Sequence, residues 1–208
     1  MKMKNKTLLL FFLLFQFSFS QNVKLKTGDI LFQSMNCGPL CEAINEVTEG
    51  YQGKDFSHLG MVYIKNDSIF VIEAAGKAVK VTPYETFKTY TTEAMFVGRL
   101  KNKYRKYIPE AITFSLQQVG VPYDDEYLYD NGKYYCSELI YDAFLHSYKK
   151  PLFDLFPMTF KSPKSNQYFE VWAEYYQKLK MEIPEGQLGC NPGGISTSDK
   201  LKIIGTLR

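Results

Sequence analysis

Two short segments hold residues that could do chemistry together: Phe56-Ser57-His58-Leu59-Gly60-Met61-Val62 and Tyr135-Cys136-Ser137-Glu138-Leu139-Ile140. The first sets one of only two histidines at the mouth of an apolar strand, and the second sets a cysteine at the start of an amphipathic helix. A cysteine attacks a carbonyl carbon as its thiolate, and a helix start favours that anion through unpaired N–H groups and the positive end of its dipole. Without a base nearby, the same cysteine is simply a small core residue, so the partner decides. His146 lies further along the cysteine helix, roughly 15 Å away along its axis, and reads as a solvated helix-end residue. His58 is distant in sequence and stands where a side chain can emerge from a packed sheet, which makes it the candidate base.

A third residue should orient the imidazole. If the turn at Asn66-Asp67 is symmetric, Ile64 pairs with Ile69, Gly60 opposes Glu73, and His58 opposes Ala75. Glu73 then lies diagonally across from His58 on one sheet face, with Gly60 leaving room beside it. A one-residue bulge would turn Glu73 to the other face, as an ordinary exposed carboxylate. A Cys136-His58-Glu73 set supports acyl transfer: His58 accepts the thiol proton, Cys136 forms a thioester, and water or another acceptor releases the acyl group. The Cys136 backbone N–H and one further donor, from Tyr123 or Tyr135, would hold the oxyanion.

The elements that must position these residues follow from periodicity. Residues 27–32 read as a turn entering a strand, and 38–48 as a helix with Leu40, Ile44 and Val47 on one face. Strands are expected at 59–64, 69–73, 79–82 and 95–100, an antiparallel meander separated by turn residues. A helix at 107–119 tolerates Pro109 in its first turn and ends at Gly120. After a loop rich in Tyr, Asp and Gly, the cysteine helix buries Cys136, Leu139, Ile140, Ala143 and Phe144 on one face. Beyond Pro151 the prolines bracket one helix at 167–180 and a terminal strand at 202–207, read as an extension of the same domain.

On these segments, together with Gly28-Asp29-Ile30-Leu31-Phe32 and Val71-Ile72-Glu73-Ala74, the chain resembles the permuted, YiiX-like members of the NlpC-type papain-like cysteine amidases. The histidine strand precedes the cysteine helix, the reverse of the unpermuted order. The resemblance covers about residues 25–150. It implies an α+β, papain-like fold with the meander sheet packed against the cysteine-bearing helix. It also implies Cys136 as nucleophile, His58 as base, Glu73 as orienting residue, and Tyr123 of Val121-Pro122-Tyr123 near the active site. The 151–208 stretch has no counterpart in the minimal family fold and is expected to shape or cover the cleft.

Residues 1–20 read as a secretory signal, with Lys2, Lys4 and Lys6 before an apolar run and small residues before Gln21. The apolar run is shorter than the roughly 20 residues of a membrane span, so no stable span is expected after cleavage. The mature chain, 21–208, is expected to be a single periplasmic or secreted domain. Removing those three lysines from 25 Lys+Arg leaves 22, equal to the 22 Asp+Glu. With no net charge and no arginine-rich stripe, nucleic acid is not an expected partner.

An oxidising compartment allows Cys37, Cys41, Cys136 and Cys190 to form two disulfides in any of three connectivities. The helix-start position of Cys136 argues for a free thiol. Cys37 and Cys41 are poorly aimed within a regular helix, but a looped 37–41 bridge, or one from either residue to Cys190, stays open. No paired metal-ligand spacing occurs, and neither metal nor cofactor is expected. The leading function is an exported cysteine amidase or peptidase acting on small peptides or peptidoglycan fragments. The alternatives are a lipid or acyl thioesterase or acyltransferase at the same site, favoured by a long apolar groove with no acceptor for charged peptide ends, and a non-catalytic binding module.

Overall fold

The computed structural model describes residues 23–208, so the signal segment expected over 1–20 lies outside the described residues. In chain order the strands are β1 (Ile30–Gln33), β2 (His58–Lys65), β3 (Ser68–Ala75), β4 (Ala78–Pro83), β5 (Met95–Leu100), β6 (Phe156–Pro157), β7 (Leu188–Gly189) and β8 (Leu201–Leu207). The helices are α1 (Pro39–Val47), α2 (Tyr84–Lys88), α3 (Ile108–Gln117), α4 (Cys136–Tyr148), α5 (Glu170–Leu179) and α6 (Pro192–Ser196).

Period-two alternation sends the two faces of the sheet to different cores. Ile30, Phe32, Leu59, Met61, Ile72 and Ala74 meet Leu139, Ile140, Ala143 and Phe144 of α4, all of them buried. Leu31, Val62, Val71 and Val97 cluster instead with Leu25, Phe87 and Met95. The strand order is β4-β3-β2-β1-β5-β8, antiparallel at every described pairing. Strands β2 to β4 form the expected meander. Strand β5 does not continue it but pairs with β1 on the far side of β2. The crossover runs through α2, a helix absent from the sequence reading, whose Phe87 is buried in the second core.

Asn66 and Asp67 both adopt positive φ, at 48° and 60°. That geometry makes the two-residue connection between Lys65 and Ser68 match the twist of its strands. The resulting register pairs Ile64 with Ile69 and Met61 with Ile72, with no bulge between them. A Cβ at Gly60 would collide with the Val71 side chain and sit 3.3 Å from the Glu73 Cβ. Only glycine admits this approach.

Residues 151–208 are woven into the same structure. Strand β8 forms the sheet edge beside β5, and the aromatic face of α5 (Trp172, Tyr176) packs with Phe160 against Ala43, Leu40 and Ile44 of α1. Cys37 and Cys41 form a disulfide with a Cα separation of 5.4 Å. The bridge is possible because α1 begins at Pro39, leaving Cys37 outside the regular helix. Cys136 and Cys190 are free and buried.

Candidate active site

The β2–β3 register delivers two buried side chains to one place. His58 Nε2 lies 2.5 Å from Glu73 Oε2, which leaves Nδ1 as the ring nitrogen available to Cys136. Burial acts to lower the His58 pKa, but hydrogen bonds to Cys136 and Glu73, and their charges, outweigh it and push the imidazole up to about 9. Burial likewise opposes the charge on Glu73, yet hydrogen bonds from His58 and Thr82 and the charge of Lys80 hold its carboxyl below the usual range. The second carboxylate oxygen is held from β4 and the loop after α2. Thr82 Oγ1 donates to Glu73 Oε1 at 2.5 Å, Tyr90 Oη donates to it at 3.3 Å, and Lys80 Nζ stands 3.7 Å away. Phe87 and Tyr90 flank the imidazole at 5.6 and 6.3 Å between ring centres. The sequence reading missed these supporting residues. Carrying the hairpin register one strand further would have found Lys80, which pairs directly with Glu73.

Cys136 opens α4, where its backbone N–H is among those a helix start leaves without an intrahelical partner. Glu138, fully buried in the next residues of the helix, accepts the Asp130 N–H at 2.9 Å and the Tyr135 N–H at 3.4 Å. Burial first, then the charges of Asp142 and Asp124, push its carboxyl up to about 8 against those hydrogen bonds. Asp124 organises the same loop by accepting the N–H groups of Glu126 and Leu128 and the Asn131 side chain. Loop and cysteine helix are thus fastened to one another.

The cysteine faces a cavity of about 180 Å³ lined chiefly by Tyr123, Tyr127, Tyr135, Phe156, Met158, Phe160 and Trp172, with Ile44 and Val47 of α1, Thr48 just after it, Cys190 to Pro192, and the hydroxyl-bearing Ser57, Ser137 and Thr159. No Asp, Glu, Lys, Arg or His lines it. His58 is buried behind the cysteine, not in the cavity wall. Of the two expected tyrosines, Tyr123 has its hydroxyl 3.5 Å from that of Tyr127, a residue the sequence reading did not single out. The Tyr135 hydroxyl accepts the Cys190 N–H at 3.1 Å and faces the Cys190 sulfur at 3.9 Å. It lines the cavity, and accepting that N–H leaves its own O–H proton to be directed at the Cys190 sulfur or into the cavity. Cys190 is pushed above the ordinary thiol range, chiefly by burial. His146 sits far along α4, bonded to Glu110 at 3.1 Å and stacked on Phe114. Among the described residues, no group of three or more His, Cys, Asp or Glu is placed to hold a metal ion.

A sheet-borne histidine preceding a helix-borne cysteine defines a papain-like architecture in permuted order. The family described as a permuted papain-like amidase enzyme, YaeF/YiiX, C92 family, matches residues 24–205, and the chain belongs to it. The match runs well past residue 150 and takes in most of the 151–208 stretch. The uncharacterized protein YiiX of Escherichia coli K12 is 30% identical over 142 residues, covering 66% of this chain; the chain spans 65% of the length of that relative. The crystal structure of the metalloprotein YiiX from Escherichia coli O157:H7 superposes with a TM-score of 0.71 at 23% identity, over 88% of this chain and 96% of that one. That likeness is one of fold.

Proposed function

We propose that the protein is an exported cysteine hydrolase that cleaves an amide through a thioester, with an apolar acyl group seated in the cavity beside Cys136. The observation that carries this reading is a cavity-facing cysteine at a helix start, backed by a buried histidine clamped to a carboxylate. With His58 up at about 9, the imidazole is protonated at neutral pH and can give its proton to a leaving group, while the nucleophile, as for any cysteine, is the thiolate. Cys136 Sγ attacks the carbonyl carbon and the carbonyl electron pair moves to oxygen. The Cys136 N–H holds that charge, with a hydroxyl of the cavity wall, Tyr123 or Tyr135, as the second donor. Collapse breaks the C–N bond as His58 Nδ1 protonates the leaving nitrogen. Water then attacks the thioester, His58 takes its proton, and the C–S bond breaks to restore the thiolate.

The uncharged lining supports an acyl chain over peptide ends, which would enter a wall with no charged partner. A small cell-wall peptide is the second reading, favoured by the family's description as amidases. The Cys37–Cys41 bridge supports an oxidising, extracytoplasmic address, and no described helix is long and apolar enough to cross a membrane.

The test presents the protein with N-acyl amides of increasing chain length and with short charged peptides, following product release and the mass of Cys136. Acyl-length-dependent turnover with an acyl adduct on Cys136 is the expected result. Turnover of peptides alone would move the assignment to the second reading, and no adduct with any substrate would overturn it.

A further inference from the structure

The mature chain carries no net charge, yet its cations are unevenly placed. The segment Lys101-Asn102-Lys103-Tyr104-Arg105-Lys106 has four cations in six residues and no acid. The fold sets it against β8. Lys101, Lys103, Arg105 and Lys202 line one groove of about 500 Å³. A second recess of about 390 Å³, lined by Ser196, Thr197 and Ser198, shares Lys101 and Lys202 with the first.

Arg99, also in the first groove, is committed to Asp29 through two bonds of 2.7 Å, and Lys200 is paired with Asp199. Among the described residues, Lys101, Lys103, Arg105 and Lys202 form no ion pair. The acid within reach is Asp199, whose carboxyl is held down first by Lys200, with Lys101 and Lys103 adding to it. Lys103 lies 4.8 Å over the ring of Tyr104, which is buried and so offers no face for a base to stack on.

We propose that this β5–β8 edge docks on an anionic phospholipid surface. Lys103, Arg105, Lys106 and Lys202 are exposed and Lys101 half-exposed, and a cluster of four or more cations suits phosphodiester headgroups, each cation near such a surface adding attraction. Of the neighbouring hydroxyls, Ser196 and Thr197 already donate to the Gly193 and Gly194 carbonyls. The choice of a bilayer over another polyanion rests on the acyl-amide reading above. Helix α6 joins the two sites: Asn191 and Pro192 at its start line the acyl cavity, and Ser196 at its end lines the second recess. Five residues of helix span roughly 8 Å. Docking through this edge therefore holds the cavity close to the source of acyl chains.

The test is co-sedimentation of the mature protein with vesicles of phosphatidylcholine alone and of phosphatidylcholine mixed with phosphatidylglycerol, at low and high salt, beside a Lys101→Gln/Lys103→Gln/Lys202→Gln variant. Expected are binding to the anionic vesicles only, its loss at high salt, and partitioning weakened at least about tenfold in the variant. Hydrolysis of a soluble short-chain acyl amide should be the same in both proteins, which verifies folding and tests the acyl reading separately. Equal binding to both vesicle types, no binding, an unaffected variant, or retention on heparin without vesicle binding would each overturn the proposal.

Discussion

The two sides of Cys136 are built in opposite ways. Behind it, His58 and Glu73 come from adjacent strands whose register is set by a two-residue turn, and His58 Nε2 and both Glu73 carboxylate oxygens have a defined partner. In front, the cavity wall is assembled from α1 and the residue after it, the 123–135 loop, the start of α4 and the 156–192 stretch with its helix α5, and it is mostly aromatic and aliphatic, with Thr48, Ser57, Ser137, Thr159 and Asn191 as its uncharged polar members. The lesson is a division of labour: one hairpin fixes the reacting atoms, and helices and loops gathered from distant parts of the chain choose what reaches them. Substitutions behind the cysteine should change the chemical step for every substrate, whereas substitutions in front should change which substrate reacts.

The largest effect expected is that of Cys136→Ala, which removes the nucleophile and with it at least about a thousandfold of turnover. His58→Ala should act almost as severely and also slow alkylation of Cys136 by iodoacetamide at pH 7; unchanged alkylation would separate the two residues. Next, Glu73→Gln keeps the shape but removes the charge that helps lift His58. The alkaline limb of the rate profile should move down from about 9 toward the ordinary histidine range, with turnover falling by one to two orders of magnitude, on the order of 2 kcal/mol. On the other side of the comparison, Val47→Phe fills the cavity. It should cost roughly tenfold in kcat/KM for long acyl chains and leave iodoacetamide alkylation unchanged. Equal losses for all substrates would erase the division.

Stability should report the same contrast through pH. Glu138 and His58 have folded pKa values raised to about 8 and about 9 from 4.5 and 6.5. The stability each contributes is complete below the unfolded value and is lost as pH rises through the folded one. Thermal midpoints should therefore fall between about pH 5 and pH 9, and Glu138→Gln should flatten the part below pH 8. Glu73 runs the other way: its lowered pKa contributes stability that disappears in acid. Smallest of all, His146→Ala should alter stability by less than about 0.5 kcal/mol and turnover not at all.

How much could be read in the sequence follows the same line. The residue types of Cys136 and His58, and the arithmetic of one hairpin, brought Glu73 to the imidazole before any coordinates. The elements with regular periodicity fell within a few residues of their observed ends. The β5 crossover was not legible, because α2 is only five residues long and its anchor, Phe87, gives no periodic pattern. The cavity was not legible either: Tyr127, Phe160 and Trp172 look in sequence like any other core aromatics, and only tertiary placement turns them toward a cysteine. Nor was Asp29 understood. It sits in a family-like segment, yet its role is to hold Arg99 across the sheet.

The Cys37–Cys41 bridge has a consequence at the bench. It closes the start of α1, and the same helix supplies Ile44 and Val47 to the cavity wall. Thiol enzymes are customarily kept in reductant, and Cys37 is exposed to it. A reductant that protects Cys136 from oxidation will therefore also release the end of the helix shaping its substrate site. Activity plotted against reductant concentration should rise and then fall, so preparations that differ only in their thiol additive will differ in acyl preference.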